Sequence, residues 1–213
     1  MENAATMSSR DSVKPAKAAS LRTTRRKPES LAKLRLAARK LFVERGYHAT
    51  RPQDIAREAG LGHGTFYLHF PDKRACFLAF VEEARTELDS YVRERTPSTS
   101  SLRALIESLL NAIYDYSESH PGVLNAAMTD EAVIDAEGDP SLPLLHRWGY
   151  DWAEFVRENV GEGRMAKGYN SDIVGQAILG AVHQASSEGW RAGRPRAEVV
   201  DNLARFLVRA LEP

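Results

Sequence analysis

Residues 45–73 read RGYHATRPQDIAREAGLGHGTFYLHFPDK, and this stretch decides the fold. It describes two short helices joined by a tight glycine turn. Thr50 and Gln53 have the spacing of a capping box, and Pro52 suits a first helical turn, where its missing N–H would have no intrahelical partner anyway. Ile55, Ala56 and Ala59 form the buried side of the first short helix. Gly60 lets the chain turn sharply and Leu61 drops into a small core. A second short helix follows over about 62–70, with Phe66 inward and Thr65, Tyr67 and His69 on its other faces. It is too short and too glycine-rich to be there for core volume. Its hydroxyls and imidazole are groups that contact phosphates and bases, and residues 51–70 have the layout of a helix-turn-helix. An ordinary three-helix cluster with a polar surface has the same spacing, so spacing alone leaves both readings open.

Upstream, Leu31, Leu34, Ala38, Leu41 and Phe42 make the stripe of an amphipathic helix. Pro28 and Glu29 suit its first turn, and Gly46 is placed to end it as a left-handed residue. Downstream, Pro71 and Asp72 restart the chain, and Lys73 stands near the beginning of a longer helix.

The order of residues goes further than the spacing. Gly46, Tyr47, Ala49, Thr50, Asp54, Ile55, Ala56, Ala59, Gly60, Gly64, Thr65, Phe66, Tyr67, His69, Phe70 and Lys73 resemble the amino-terminal pattern of the tetracycline-repressor (TetR) family of bacterial transcription regulators. The resemblance covers roughly residues 28–88. It implies DNA binding by Thr50, Arg51, Gln53, His63, Gly64, Thr65, Tyr67, His69 and Lys73. His63, Gly64 and Thr65 would approach base edges, and Tyr67 and His69, helped by Thr50, Arg51, Thr65 and Lys73, would hold phosphates. Two positions depart from the family pattern. Arg51 replaces a usual Thr or Ser and adds a charge able to bind phosphate. Gly62 replaces a common Ser at the helix cap, which costs only a few tenths of a kcal/mol.

Charge agrees with a polyanion partner, although the formal net charge of the 213-residue chain is +0. Residues 1–75 hold 16 Lys and Arg against 7 Asp and Glu, and residues 76–213 hold 13 against 22. A basic amino-terminal third on an acidic body is an electrostatic footprint for nucleic acid. Residues 1–27 are poor in apolar bulk and are expected to be a disordered basic tail. Arg22, Arg25, Arg26 and Lys27 lie just before the first helix; they form either a solvated tail or an arm on the DNA. No run matches a signal peptide or the roughly 18 apolar residues of a membrane span. A single cysteine, Cys76, excludes an internal disulfide and fits a reducing cytoplasm.

Beyond the head, no segment has period-2 strand character. Helical patterns are expected over about 73–95, 101–119, 121–135, 142–160, 171–190 and 196–211. The chain therefore reads as all-α: a three-helix helix-turn-helix domain over 28–88, then a larger bundle over 89–213 for effector binding and dimerisation. The resemblance implies a small-molecule pocket between bundle helices. Asn111, Tyr114, Met128, Trp148, Trp152, Phe155, His183 and Gln184 combine aromatic walls with a few polar groups, and would suit a largely apolar or aromatic effector. The same side chains would also serve as ordinary core.

Gly175, Ala177, Gly180, Ala181, Ala185, Val199, Leu203 and Phe206 on the last two helices would let another helix come close. The family uses this pair for a four-helix interface between two subunits. A homodimer also suits a short reading helix, because two-fold symmetry places paired half-sites on a pseudo-palindromic duplex. The expectation is a cytoplasmic dimeric repressor, released from its operator by a small molecule, with no cofactor and no metal. Two alternatives stay open. Asp130, Glu131, Asp135, Glu137 and Asp139, with His120 and His146, could suggest an enzyme, but they lack metal-ligand spacing, and no nucleophile elbow or phosphate loop is present. The bundle could also serve dimerisation alone.

Overall fold

The computed structural model describes residues 16–97, 101–129 and 144–213. Nine helices and no strand occur among the described residues: α1 (Ala16–Ala49), α2 (Pro52–Glu58), α3 (His63–Tyr67), α4 (Lys73–Arg95), α5 (Leu102–Ser119), α6 (Val123–Thr129), α7 (Leu144–Gly161), α8 (Ser171–Arg191) and α9 (Arg196–Leu211). The expected all-α head and bundle are present. Residues 130–135 of the expected sixth helix lie outside the described residues, as do the carboxylates of the enzyme alternative.

α1 differs at both ends from the expected helix. It begins at Ala16, with Pro28 inside it, so residues 16–27 are helical rather than disordered. Ala, Lys, Leu and Arg in that stretch are good helix formers and carry the helix past Pro28, which removes one backbone bond and crowds the preceding turn. At the other end Gly46 breaks the helix as expected. Its φ of 75° and ψ of 174° are positive-φ extended backbone rather than the left-handed helical well, a region open essentially to glycine.

The head is held by an aromatic cluster. Phe42 meets Phe77 edge-on with ring centroids 4.9 Å apart, Tyr47 meets Phe77 at 5.0 Å, and Phe66 packs against Phe70 at 5.6 Å. Such pairs favour offset or edge-to-face geometry. Phe77 and Phe80 belong to α4, so this long helix is at once the floor of the head and the first helix of the bundle. Its start is set by Asp72, whose carboxylate accepts from the Ala75 N–H at 2.7 Å, a capping contact. Asn170 caps α8 in the same way, accepting from Asp172 and Ile173.

In the bundle α7 and α8 make the most extensive pair, and α9 packs on α5 and α8. Arg196 of α9 straps the bundle together. Its guanidinium donates to the Asn111 side chain at 3.1 Å and to the Asn111 carbonyl at 2.7 Å, and pairs with Asp115 at 2.7 Å.

Candidate nucleic-acid interface

The turn between α2 and α3 is built by Gly60. At φ 66° it places its own N–H on the Arg57 carbonyl, while the Leu61 N–H reaches back to the Ala56 carbonyl at 2.9 Å. That pair of bonds is a Schellman ending, and it throws α3 across α2. Ile55, Ala56 and Phe66 are fully buried beneath the turn. α3 is regular only over His63–Tyr67, but the His69 and Phe70 N–H groups both bond to the Phe66 carbonyl and carry the turn to residue 70.

What is left outside is the face expected from the sequence. Arg51, Gln53, His63, Gly64 and Tyr67 are exposed, Tyr67 at 50%. Thr65, His69 and Lys73 are half-buried. A Cβ built on Gly64 would meet nothing within 4 Å, and its φ is ordinary. No intramolecular packing explains this glycine, which is what close approach by an outside surface would require. Leu68 is also exposed, at 71%. Helical spacing signals it by setting Phe66 and Phe70 inward and leaving residue 68 over.

Three expected contacts are placed differently. Thr50 is fully buried; its hydroxyl donates to the Gly46 carbonyl at 2.8 Å and the Leu41 carbonyl at 3.2 Å. It therefore ties off the end of α1 and is not available to DNA. The expected Thr50–Gln53 capping box is also absent: Arg51 is the N-cap of α2, without a side-chain cap bond. The Lys73 ammonium donates to the Tyr47 carbonyl at 3.0 Å and lies 4.0 Å from the centre of the Tyr47 ring, so it braces the head. His69 Nε2 lies 2.7 Å from the Ser30 hydroxyl, which fastens the turn after α3 to α1. Ser30 carries no signal of this role in the sequence, because no local pattern connects residues 39 positions apart.

The candidate ligand residues fall into three groups. Trp148 and Trp152 are buried on α7, with Phe155 half-buried beside Trp152 at 5.8 Å, and Met128 is half-buried on α6. Asn111 is held by Arg196, and the Tyr114 hydroxyl donates to Ser186 at 2.9 Å, so both are used in joining helices. His183 and Gln184 are exposed on α8 and line no interior wall, contrary to expectation. The exposed side of α8 continues the small-residue stripe, so these polar groups point outward with it.

The candidate dimer residues also divide. Gly175 faces α7 rather than a partner: a Cβ there would lie 2.4 Å from the Gly149 carbonyl oxygen. Leu203 is buried within the subunit. Ala177, Gly180 and Phe206 are exposed, and Ala181, Ala185 and Val199 are half-buried. A groove of about 410 Å³ runs between α8 and α9, lined by Ala181, Ala185, Val199 and Phe206 among others.

Among the described residues no group of three or more His, Cys, Asp or Glu could hold a metal ion, and no helix is long and apolar enough to cross a membrane. Cys76 is buried, and burial pushes its thiol up to about 12, far from a reactive thiolate.

With this geometry in place, residues 34–80 match the model of bacterial regulatory proteins of the tetR family. The amino-terminal head is therefore of the TetR type. The chain is similar to the transcriptional activator FasR of Mycolicibacterium smegmatis, at 33% identity over 90 residues, which is 42% of this chain and 41% of FasR. The regulator YvdT of Bacillus subtilis is 23% identical over 187 residues, 84% of this chain and 93% of that one. The chain thus spans less than half of FasR but nearly all of YvdT. Two solved structures share the fold. The fatty acid degradation regulator FadR of Bacillus halodurans has a TM-score of 0.64 at 17% identity, covering 83% of this chain and 93% of that one. TylP, a TetR regulator of Streptomyces fradiae, has 0.63 at 19%, covering 87% and 88%.

Proposed function

We propose that this protein is a ligand-responsive, homodimeric repressor of the TetR family that binds a pseudo-palindromic operator and leaves it when a small, largely apolar molecule enters the bundle. The observation that carries the reading is the outward face of α3. His63, Gly64 and Tyr67 are exposed around a turn whose Ile55, Ala56 and Phe66 are spent on the core. Arg51 adds a cation at the start of α2. Two such heads would reach successive major grooves about 34–36 Å apart. The exposed Ala177, Gly180 and Phe206 supply a surface on which two subunits can pair.

Release follows from α4. This helix carries Phe77 and Phe80 of the head core and continues into the bundle, so a shift of α4 changes the separation of the two heads. Trp148, Trp152, Phe155 and Met128 are the wall against which an apolar molecule would rest.

The test is binding of duplex DNA enriched from a random pool on the purified protein, followed by fluorescence anisotropy. Affinity that falls steeply with salt, and one duplex per two chains, support the reading. Failure to enrich any duplex overturns it. Promoter activity with and without the protein then fixes the sign of regulation, and a thermal shift on a panel of apolar metabolites tests for an effector.

A further inference from the structure

α4 and α7 are joined by a run of four alternating charges. Arg147 of α7 lies 3.6 Å from Glu82 of α4, Glu82 lies 3.1 Å from Arg85, and Arg85 lies 2.7 Å from Asp151 of α7. Arg147 and Asp151 are one turn apart on α7, and Glu82 and Arg85 are one turn apart on α4, so the two rungs lie side by side. α4 packs its backbone closely against α1, α5 and α6, whereas α7 packs chiefly against α8. Long charged side chains therefore bridge α7 directly to the helix that enters the head, beside the longer route through α9 and α5. Within that bridge, on the same turn of α7, stands Trp148, 5% exposed, with an indole N–H that has no hydrogen-bond partner among the described residues. Buried donors are seldom left so.

We infer that Arg147 and Asp151 are positioning residues that pass displacement of α7 to α4 through Glu82 and Arg85, coupling the bundle to the DNA head. The inference rests on the regulator reading above and adds the route of its regulation. Exposed ion pairs contribute little to stability, so this bridge can break and re-form without unfolding the bundle. It orients two helices at small cost. On its other side α4 is tied to the head, where Arg35 and Arg39 of α1 pair with Glu83 and Glu87. A push on α7 thus reaches the head through a helix already fastened to α1.

Coupling between sites is reciprocal, so DNA must act on α7 as strongly as α7 acts on DNA. That permits a test without an effector. The enriched duplex is added to the full chain, and hydrogen–deuterium exchange is followed over residues 144–161. In a second arm Trp152→Phe and Trp190→Phe leave Trp148 as the one tryptophan, excited selectively at the red edge. The expected result is a change in exchange across α7 and a shift in Trp148 emission on adding duplex. Both should fall at least fivefold in Arg147→Gln/Asp151→Asn, with the melting temperature nearly unchanged. Duplex binding that leaves wild-type α7 exchange unaltered overturns the coupling while the DNA reader stands. So does a double variant that keeps the full response. No binding of duplex by the wild type overturns the regulator reading itself.

Discussion

Gly149 and Gly175 meet where α7 crosses α8, so closely that a Cβ on Gly175 would lie 2.4 Å from the Gly149 carbonyl oxygen and 2.5 Å from the Ala153 nitrogen. Both obstacles are backbone and cannot swing aside. Gly175→Ala should therefore force the helices apart and destabilise the subunit by about 1–3 kcal/mol. Gly180 lies five residues along the same helix with open space around it. Gly180→Ala should stabilise the isolated subunit by up to about 1 kcal/mol through helix propensity. Urea unfolding of the two variants checks the contrast, and equal behaviour would refute the assignment of Gly175 to the α7–α8 contact.

Thr50 and Tyr67 belong to one family motif, yet they should fail in different ways. Thr50→Val deletes a buried donor and leaves the Gly46 carbonyl short of a partner, a loss of about 1–3 kcal/mol in stability. DNA affinity per folded molecule should stay the same. Tyr67→Ala removes a half-exposed side chain, so the melting temperature should hold. Affinity for the enriched duplex should drop about tenfold or more, since hydrogen bonds to charged groups contribute roughly 1.5–3 kcal/mol. Unchanged duplex affinity in Tyr67→Ala would remove Tyr67 from the interface.

Glu87 links acid stability to the joint between head and bundle. The Arg39 guanidinium donates to both its oxygens, at 2.6 and 2.7 Å, and Tyr116 donates at 3.1 Å. The Arg39 hydrogen bond, ahead of the partly opposing burial, holds the carboxyl below its ordinary value of 4.5. The folded state thus favours the ionised form. Its contribution is complete above the unfolded-state value and is lost as pH falls through the lower folded-state one. Glu87→Gln should lower stability at pH 7, by less than about 1 kcal/mol because the side chain is 43% exposed. The gap to wild type should narrow as pH falls below the ordinary carboxyl value in paired urea titrations; a gap that widens on acidification would contradict the sign.

Gly64 offers a test in which stability and binding move in opposite directions. A Cβ there meets nothing in the subunit, and alanine is favoured over glycine inside a helix by up to about 1 kcal/mol. Gly64→Ala should raise the melting temperature of the head. If the turn lies against DNA as proposed, the added methyl should also weaken duplex binding. A variant more stable and equally tight would place Gly64 away from the duplex.

The head was legible because its signals are local. Gly46, Gly60 and Pro52 mark turns within a few residues, and Ile55, Ala56 and Phe66 are buried by helical spacing alone. The errors came where one residue type serves two purposes. Thr50 has the chemistry of a cap or a phosphate ligand, and only the fold shows its hydroxyl turned back onto α1. Gly175 and Gly180 look alike in sequence, but one faces α7 and the other is exposed, because positions five apart on a helix differ by more than a quarter turn. Ser30–His69 and the charges between α4 and α7 depend on distant pairing, which no local period encodes. The start of α1 is hidden because Pro28 has the chemistry of a first-turn residue, while the preceding Ala, Lys and Arg carry the helix past it.

Phe206 should decide the oligomeric state. It is 60% exposed on α9 and borders the groove between α8 and α9, with Ala181 and Ala185 on the other wall. A large aromatic side chain beside small-residue positions suits a partner helix, since aromatic anchors in fully desolvated pockets dominate interfaces. Burying a carboxylate there without a partner would be costly. Phe206→Glu should therefore convert a dimer to monomer at micromolar concentration in light scattering. The helix content should be unaffected, because the side chain is outside the subunit core. Duplex binding should fall with it, as a single head reads one half-site. A Phe206→Glu protein that stays dimeric and binds duplex normally would move the subunit contact away from the α8–α9 groove.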